Sequence, residues 1–195
     1  MNRIFGYISF RTVALILGLC CLNVSHISAG QSDLIPAPEG YEWKWCEDIK
    51  AGFLCPRGWF FKEEENGGTR AVFISRESID KEGVFKTGLS VNVIRDASRK
   101  AGMPLLEYAR IYIEGMKAKT SASRAVQTAG DGVYFKGFSG FFRSESPVVG
   151  PVIIFKLILA NEKTGTLYIV SFESPAGEWE NAWATGKPIV DTIAL

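Results

Sequence analysis

Histidine and cysteine carry much of the nucleophilic and metal chemistry of proteins, and this sequence uses both sparingly. It contains one histidine and four cysteines. His26, Cys20 and Cys21 lie within residues 1–30, so Cys46 and Cys55 are the two that follow. Without residues 1–30 the chain has no histidine, which excludes Ser-His-Asp sites, Cys-His sites and histidine-ligated zinc or copper. Two thiolates cannot close a tetrahedral metal site, so we expect no metal and no other cofactor.

Residues 1–30 have the pattern of a cleaved secretory signal peptide. Arg3 and Arg11 supply positive charge, residues 13–22 form an apolar core, and Ser28-Ala29-Gly30 places small residues before the cleavage point. Arg11 interrupts the apolar window, which would need about 20 residues to span a membrane. We therefore expect cleavage, no stable membrane anchor afterwards, and a periplasmic location.

The remaining chain predicts a linker over residues 31–40 and a single domain over residues 41–195. Pro36 and Pro38 favour extended backbone in the linker, and the rest has an ordinary length for one hydrophobic core. The formal net charge of +1 becomes −1 when the arginines of the signal are removed. A near-neutral chain without a basic run gives no reason to expect nucleic acid as a partner.

Cys46 and Cys55 are predicted to form a disulfide. In an oxidising compartment, two cysteines nine positions apart are most simply paired. Tyr41, Trp43 and Trp45 alternate with charged residues as in a half-buried strand, and residues 52–55 return along it. Closing this loop would contribute about 2.5–3 kcal/mol in the chain-entropy picture. The alternative is a pair of small buried thiols.

Three short motifs match an enzyme class that works without histidine, the penicillin-recognising serine enzymes. Residues 78–81 match S-x-x-K, Ser90-Val91-Asn92 matches S-x-N, and Lys163-Thr164-Gly165 matches K-T-G. The polar surroundings of Ser78 and the hairpin position of Lys163 argue against this chemistry. A serine hydrolase is kept as a remote alternative, which requires Ser78, Lys81 and Lys163 to converge.

No calcium-loop pattern occurs, and no carboxylate pair can be assigned to acid–base work from its spacing. We therefore predict no catalytic residue.

The hydrophobic pattern predicts an α+β fold. Residues 59–65 and 69–76 flank Asn66-Gly67-Gly68 and read as a hairpin, and residues 88–94 alternate as a strand. An apolar stripe at helical spacing predicts a helix over residues 104–120. Residues 152–160 and 166–172 are apolar on both faces and are expected at the sheet centre. Residues 178–195 are expected to form a helix with a break at Gly186-Lys187-Pro188.

Residues 53–59, Phe-Leu-Cys-Pro-Arg-Gly-Trp, resemble the F-x-x-P-x-G-W opening of the PsbP-like family. Relatives of that family include a nuclear Ran-binding protein and bacterial DcrB-like envelope proteins. The resemblance assigns a fold-making role to Pro56, Gly58 and Trp59. It implies an α/β/α sandwich, in which helices cover both faces of a central, mainly antiparallel sheet, and it implies a non-enzymatic binding or assembly role.

These inferences combine into three functional hypotheses. The leading one is an exported, non-enzymatic protein that binds or assembles with another protein of the bacterial cell envelope. The second is a periplasmic module that binds a small molecule or lipid in a pocket between sheet and helix. The serine hydrolase comes third. Partner-binding residues are not identified by the sequence.

Overall fold

The computed structural model of the chain describes residues 34–79, 85–122, 127–129 and 134–195. The predicted signal peptide and the first residues of the linker lie outside these ranges. The bounds of the elements are β1 Tyr41–Cys46, β2 Ala51–Pro56, β3 Phe60–Asn66, β4 Thr69–Ser75, β5 Gly88–Ile94, α1 Ala97–Ala101, α2 Leu105–Lys119, β6 Ser121–Ala122, β7 Gln127–Ala129, β8 Phe135–Ser146, β9 Gly150–Asn161, β10 Thr166–Pro175, a 3-10 helix Ala176–Glu178, and α3 Trp179–Asp191. The α+β fold class is confirmed.

Eight of these strands form one antiparallel sheet. Its order is β3-β4-β5-β10-β9-β8-β6, and β7 also pairs with β8. Strands β9 and β10 lie in the interior of the sheet, with β10 between β5 and β9. Their apolar character on both faces predicted this central position. Strands β1 and β2 form a separate two-stranded hairpin.

The turn that links the hairpin to the main sheet contains the predicted fold motif. The Trp59 backbone N–H donates to the Pro56 carbonyl at 3.0 Å, and Gly58 between them has φ of 84°. A positive φ at the third position is the requirement of a type II turn, which glycine meets without strain. Trp59 is half-buried and packs against the core. The turn therefore sets the direction in which β3 leaves the hairpin.

The helices follow the sequence prediction closely in one case and depart from it in another. The helix predicted over residues 104–120 is α2, Leu105–Lys119. The break predicted at residues 186–188 is wrong, because α3 continues through Pro188 to Asp191. Proline removes one N–H, so the carbonyl of Ala184 loses its helical donor. Ala184 is exposed, where water can take that place, while Ile189 is held in the core.

Neighbouring side chains of β10 enter two different hydrophobic clusters. Tyr168, Val170 and Phe172 share a cluster with residues of α3, β2, β4 and β5. Leu167 and Ile169 share another with residues of α1, α2, β8 and β9. Because successive side chains of a strand point to opposite faces, both faces of β10 are packed against apolar groups.

Both tryptophans of α3 belong to the core. The rings of Trp179 and Trp183 stack with centroids 5.3 Å apart. Both pack against Phe141 and Phe172 of the sheet at centroid distances of 5.4–6.0 Å. Aromatic contacts of this kind contribute roughly 0.5–1.5 kcal/mol each beyond the area that they bury.

Candidate functional site

Four chain segments meet at the end of the sheet where β5 terminates and β10 begins. They enclose two adjoining cavities of about 320 Å³ each, which share Asp48, Val93 and Arg95. We call these two cavities together the end groove. Its lining residues are Asp48, Ile49, Lys50, Glu65, Gly68, Arg70, Val93, Arg95, Asp96, Thr164, Thr166 and Tyr168. They come from the tips of the β1–β2, β3–β4 and β9–β10 hairpins and from the end of β5.

The backbone of the groove has a left-handed conformation at two non-glycine residues. Lys50 has φ of 52° and Asp96 has φ of 53°. Across the described ranges they are the two non-glycine residues in the left-handed region, and both line the groove. Aspartate tolerates this conformation, whereas lysine seldom adopts it, so the strain lies mainly at Lys50. Such strain concentrates at binding and catalytic sites. The local geometry is therefore one that the surrounding structure has to impose.

Arg70 is the centre of an ion-pair network in the first cavity. Its guanidinium lies 2.6 Å from Glu63 and 3.0 Å from Asp48, and Glu65 lies farther away at 4.0 Å. The hydrogen bond that Arg70 donates to Glu63, together with these negative charges, raises the pKa of Arg70. Its charge is already matched by the chain itself, so Arg70 holds the loops together rather than standing free for a partner.

Arg95 is the cation of the groove that has no carboxylate. It donates a hydrogen bond to the backbone carbonyl of Asp48 and its side chain is exposed. Within the described part of the chain no acidic side chain reaches it, whereas Lys50 pairs with Glu47 at 2.7 Å and Asp96 pairs with Arg99 at 3.3 Å. A guanidinium in this state can bind a carboxylate or phosphate through two parallel hydrogen bonds.

The predicted disulfide is absent, and this is a correction. Cys46 and Cys55 are free and buried. The hairpin pairs Cys46 with Ala51 and Cys55 with Glu42, so the cysteines are offset by four positions, about 13 Å along the strand. A disulfide needs Cα atoms within about 7 Å. Burial raises the pKa of Cys46 to about 12, with a further contribution from Glu63, and that of Cys55 to about 11. Both thiols are therefore poor nucleophiles.

The residues of the serine-hydrolase motifs do not converge. Ser78 follows the end of β4, where Ser75 pairs with Gly88 and Gly88 with Glu173. Lys163 lies in the turn before Thr166, seven residues of β10 away, which is about 24 Å. Lys81 lies outside the described residues. The separation of Ser78 and Lys163 removes this alternative.

Metal binding finds no support in the described ranges, where no group of three or more His, Cys, Asp or Glu side chains could hold an ion.

The end groove was not predicted from the sequence, because its residues come from four distant segments. A partial signal existed in Lys50 and Asp96, which sit at turns without a glycine to supply the positive φ. Nothing in their spacing indicated that the two turns meet.

The structure is similar to two solved structures. One is the cyanobacterial PsbP protein (CyanoP) of Synechocystis sp. PCC 6803, with 10% identity, 82% of this chain and 94% of that chain covered, and a TM-score of 0.48. The other is the Ran-binding protein Mog1p of Saccharomyces cerevisiae, with 14% identity, 78% and 94% covered, and a TM-score of 0.42. No protein-family model matches the chain, and no curated protein does. One of the two is a PsbP protein, the family that residues 53–59 resemble, and at these scores neither structure carries a conclusion about binding.

Proposed function

We propose that this chain is an exported, non-enzymatic binding or assembly protein of the bacterial cell envelope, and that its protein partner docks at the end groove. The observation that carries the proposal is the convergence of four segments around Arg95, which has no carboxylate of its own. The left-handed backbone at Lys50 and Asp96 supports it, because both residues line the groove and lysine seldom adopts this conformation.

A binding role fits the chemistry of the groove better than catalysis. Its lining contains carboxylates, guanidinium groups, two threonines and a tyrosine, and no cysteine or histidine. The acidic side chains of the groove all lie within 4.0 Å of a guanidinium: Asp48 and Glu65 of Arg70, and Asp96 of Arg99. An acid–base site needs an available titratable group within hydrogen-bond reach of a substrate. A docking surface needs complementary charge and shape, which the groove offers.

Export rests on the sequence of residues 1–30, with its basic start, apolar core and small residues before position 31. Within the described ranges, no helix combines the length and the apolar character that crossing a membrane demands. Cleavage and export would place the domain in the periplasm, where an envelope protein would be the available partner.

We also infer that the domain is a three-layer sandwich. Leu167 and Ile169 cluster with α2, whereas Tyr168, Val170 and Phe172 cluster with α3. Alternation along β10 then puts the two helices on opposite faces of the sheet. In such an arrangement the centre of the sheet is covered, and the exposed ends of the strands, where the groove lies, are the parts left for a partner.

A small-molecule or lipid module is the weaker candidate. A cavity between sheet and helices does exist, lined by Ile94, Ala97, Lys100, Ala101, Tyr108 and Leu167. Its volume is about 140 Å³, whereas ligand pockets usually measure roughly 300–1,000 Å³. The cavity is too small to enclose a lipid chain.

The experiment is site-specific photocrosslinking in living cells. A photoreactive amino acid replaces Lys50 or Glu65 at the groove, and Val148 serves as the control because it is exposed at the opposite end of the sheet. We expect a discrete crosslinked protein from positions 50 and 65, found in the periplasmic or membrane fraction, and its loss in Arg95→Gln. Equal crosslinking at position 148, or recovery of the chain in the cytoplasm with residues 1–30 intact, would overturn the proposal.

A further inference from the structure

Three polar side chains form a second cluster, far from the end groove, on the face of the sheet that packs against α2. Lys156 of β9 lies directly opposite Ser171 of β10, and its Nζ donates a hydrogen bond to the Ser171 hydroxyl. Glu173 is two residues farther along β10 and therefore points to the same face. We call Lys156, Ser171 and Glu173 the Lys156 cluster.

The residues that flank Lys156 and Ser171 on the neighbouring strands are small, whereas Ile154 of β9 lies opposite Glu173. Gly140 of β8 lies opposite Lys156, and Ser90 and Gly88 of β5 lie opposite Ser171 and Glu173. Lys156 and Glu173 are each half-buried, so both retain contact with solvent. A small molecule can therefore reach Lys156 from the solvent side, where Gly140 is its neighbour on β8.

Lys156 and Glu173 do not form a salt bridge. No acidic side chain of the described ranges lies within salt-bridge distance of Lys156, and its single hydrogen bond goes to a neutral hydroxyl. Burial lowers the pKa of Lys156 and raises the pKa of Glu173, and their mutual attraction only partly offsets this. A structural ion pair would close the gap and show the reverse shifts. Burial therefore brings both groups nearer to their uncharged forms than an exposed lysine and an exposed glutamate would be.

We infer that Lys156 is a carbonyl-reactive lysine, which captures a small aldehyde as an imine with Glu173 as the proton donor. The lone pair of Nζ attacks the carbonyl carbon and forms the C–N bond, while the carbonyl π electrons move to oxygen. That oxygen takes up two protons, one lost by nitrogen and one supplied by Glu173, and leaves as water when the C=N bond forms. The iminium returns its proton to the Glu173 carboxylate, so the sum is amine plus aldehyde giving imine plus water.

The chemistry follows from general properties of amines and acids. Only an unprotonated amine attacks a carbonyl, and lysines that form Schiff bases are activated by desolvation. Loss of hydroxide from the intermediate needs a nearby acid. The Lys156 cluster places both groups on one face, and the Ser171 hydroxyl fixes the position of the amine. This inference is independent of the proposed partner at the end groove.

The test is competitive labelling of the full mature chain with propanal and sodium cyanoborohydride, which reduces each imine to a stable amine. Peptide mass spectrometry then gives the rate at every lysine, with exposed Lys136 and Lys86 as internal references. We expect Lys156 to be propylated severalfold faster than both, although it is less accessible. Slower labelling of Lys156 than of the exposed lysines would overturn the inference.

A second variant separates proton donation from simple electrostatics. Replacing a proton donor should slow imine formation, so Glu173→Gln is expected to label Lys156 severalfold more slowly with Lys136 unchanged. If Glu173 acted only through its negative charge, its replacement would instead favour the neutral form of the Lys156 amine and speed labelling. Unchanged or faster labelling therefore contradicts the role of Glu173 as proton donor, and with it the proposal that Lys156 and Glu173 act together. Circular dichroism checks that the variant is folded. If it is not, the labelling rates of Lys156 and the exposed lysines in the unsubstituted chain still test the inference.

Discussion

The end groove and the Lys156 cluster contain the same kinds of side chain in opposite settings. In the groove, Arg70 is matched by Glu63 and Asp48 on turns and strand ends near water. In the cluster, Lys156 and Glu173 stand on two interior strands and have no ion pair in the described ranges. The difference shows that charge alone does not identify the role of a site. Solvent-exposed charges at loop tips, among which Arg95 has no carboxylate, suit docking, whereas half-buried charges held by sheet register suit chemistry.

The two regions also differ in how their backbone is constrained. The groove tolerates unusual conformations, as Lys50 and Asp96 show. The cluster lies where strands are in close contact, and a glycine beside it is required for packing rather than for its φ. A Cβ atom added to Gly88 would collide with the Ile74 carbonyl oxygen and lie 2.8 Å from Ser75 Cα.

The largest expected effect comes from glycine substitutions in the two regions. Gly88→Ala should destabilise the domain by about 3 kcal/mol, because the new methyl group meets backbone that cannot move without disturbing the ladder. Gly68→Ala at the groove should cost about 1–2 kcal/mol, because the loop has space and only the positive φ of 76° is unfavourable. Urea unfolding of both variants measures the two values.

The matched control for this pair is Gly177→Ala, since Gly177 has neither a positive φ nor an atom within 4 Å of an added Cβ. It should unfold at nearly the same urea concentration as the unsubstituted chain. An order in which Gly68→Ala costs more than Gly88→Ala would reverse the contrast between a close-packed sheet region and a permissive groove.

The next effect concerns the thiol beneath the groove. Cys46 is completely buried, and Glu63 of the Arg70 network contributes to its raised pKa. Cys46→Ala should cost roughly 1–2 kcal/mol through the space that it leaves, and not the larger amount expected from loss of a disulfide. Ellman's reagent should detect no reactive thiol in the folded mature chain and two after unfolding. A mass two daltons below the reduced value would show that the cysteines are bonded after all.

A smaller effect, dependent on pH, is expected at the cluster. Burial raises the pKa of Glu173 in the folded state above its unfolded value near 4.3. Between those two values the folded chain binds more protons than the unfolded chain, so stability falls as pH rises through that window. Glu173→Gln should therefore be more stable than the unsubstituted chain at pH 7, with Lys156 still facing it, and the advantage should shrink towards pH 4. Thermal melts at both pH values provide the measurement, and an advantage that grows on acidification would contradict it.

Local patterns predicted the elements of this fold well. The Asn66-Gly67-Gly68 hairpin and α2 appear where turn chemistry and helical spacing put them, because both signals lie within a few residues of one another. The sheet centre was predicted from apolar strands, because burial on both faces leaves its mark on composition. These are properties that neighbouring residues determine together.

Register and long-range assembly were not predictable in the same way. The hairpin of β1 and β2 was expected, but its register decides whether Cys46 meets Cys55, and a four-position offset separates them. The continuity of α3 through Pro188 depends on the burial of Ile189 against other elements. The end groove joins four segments, and the Lys156 cluster joins two strands. Sequence spacing carries no information on such meetings.

The smallest expected effect is the one that separates docking from structure most directly. Arg95→Gln should change the free energy of unfolding by less than about 0.5 kcal/mol, because its side chain is exposed and makes one hydrogen bond to a backbone carbonyl. Arg70→Gln should cost more than Arg95→Gln, because it leaves Glu63 and Asp48 without their counter-ion. Urea unfolding of the two variants side by side tests the order. Arg95 contributes little to folding and yet stands unpaired in the groove, which is best explained by an acidic group of a binding partner. An equal loss of unfolding free energy in the two arginine variants would remove that explanation.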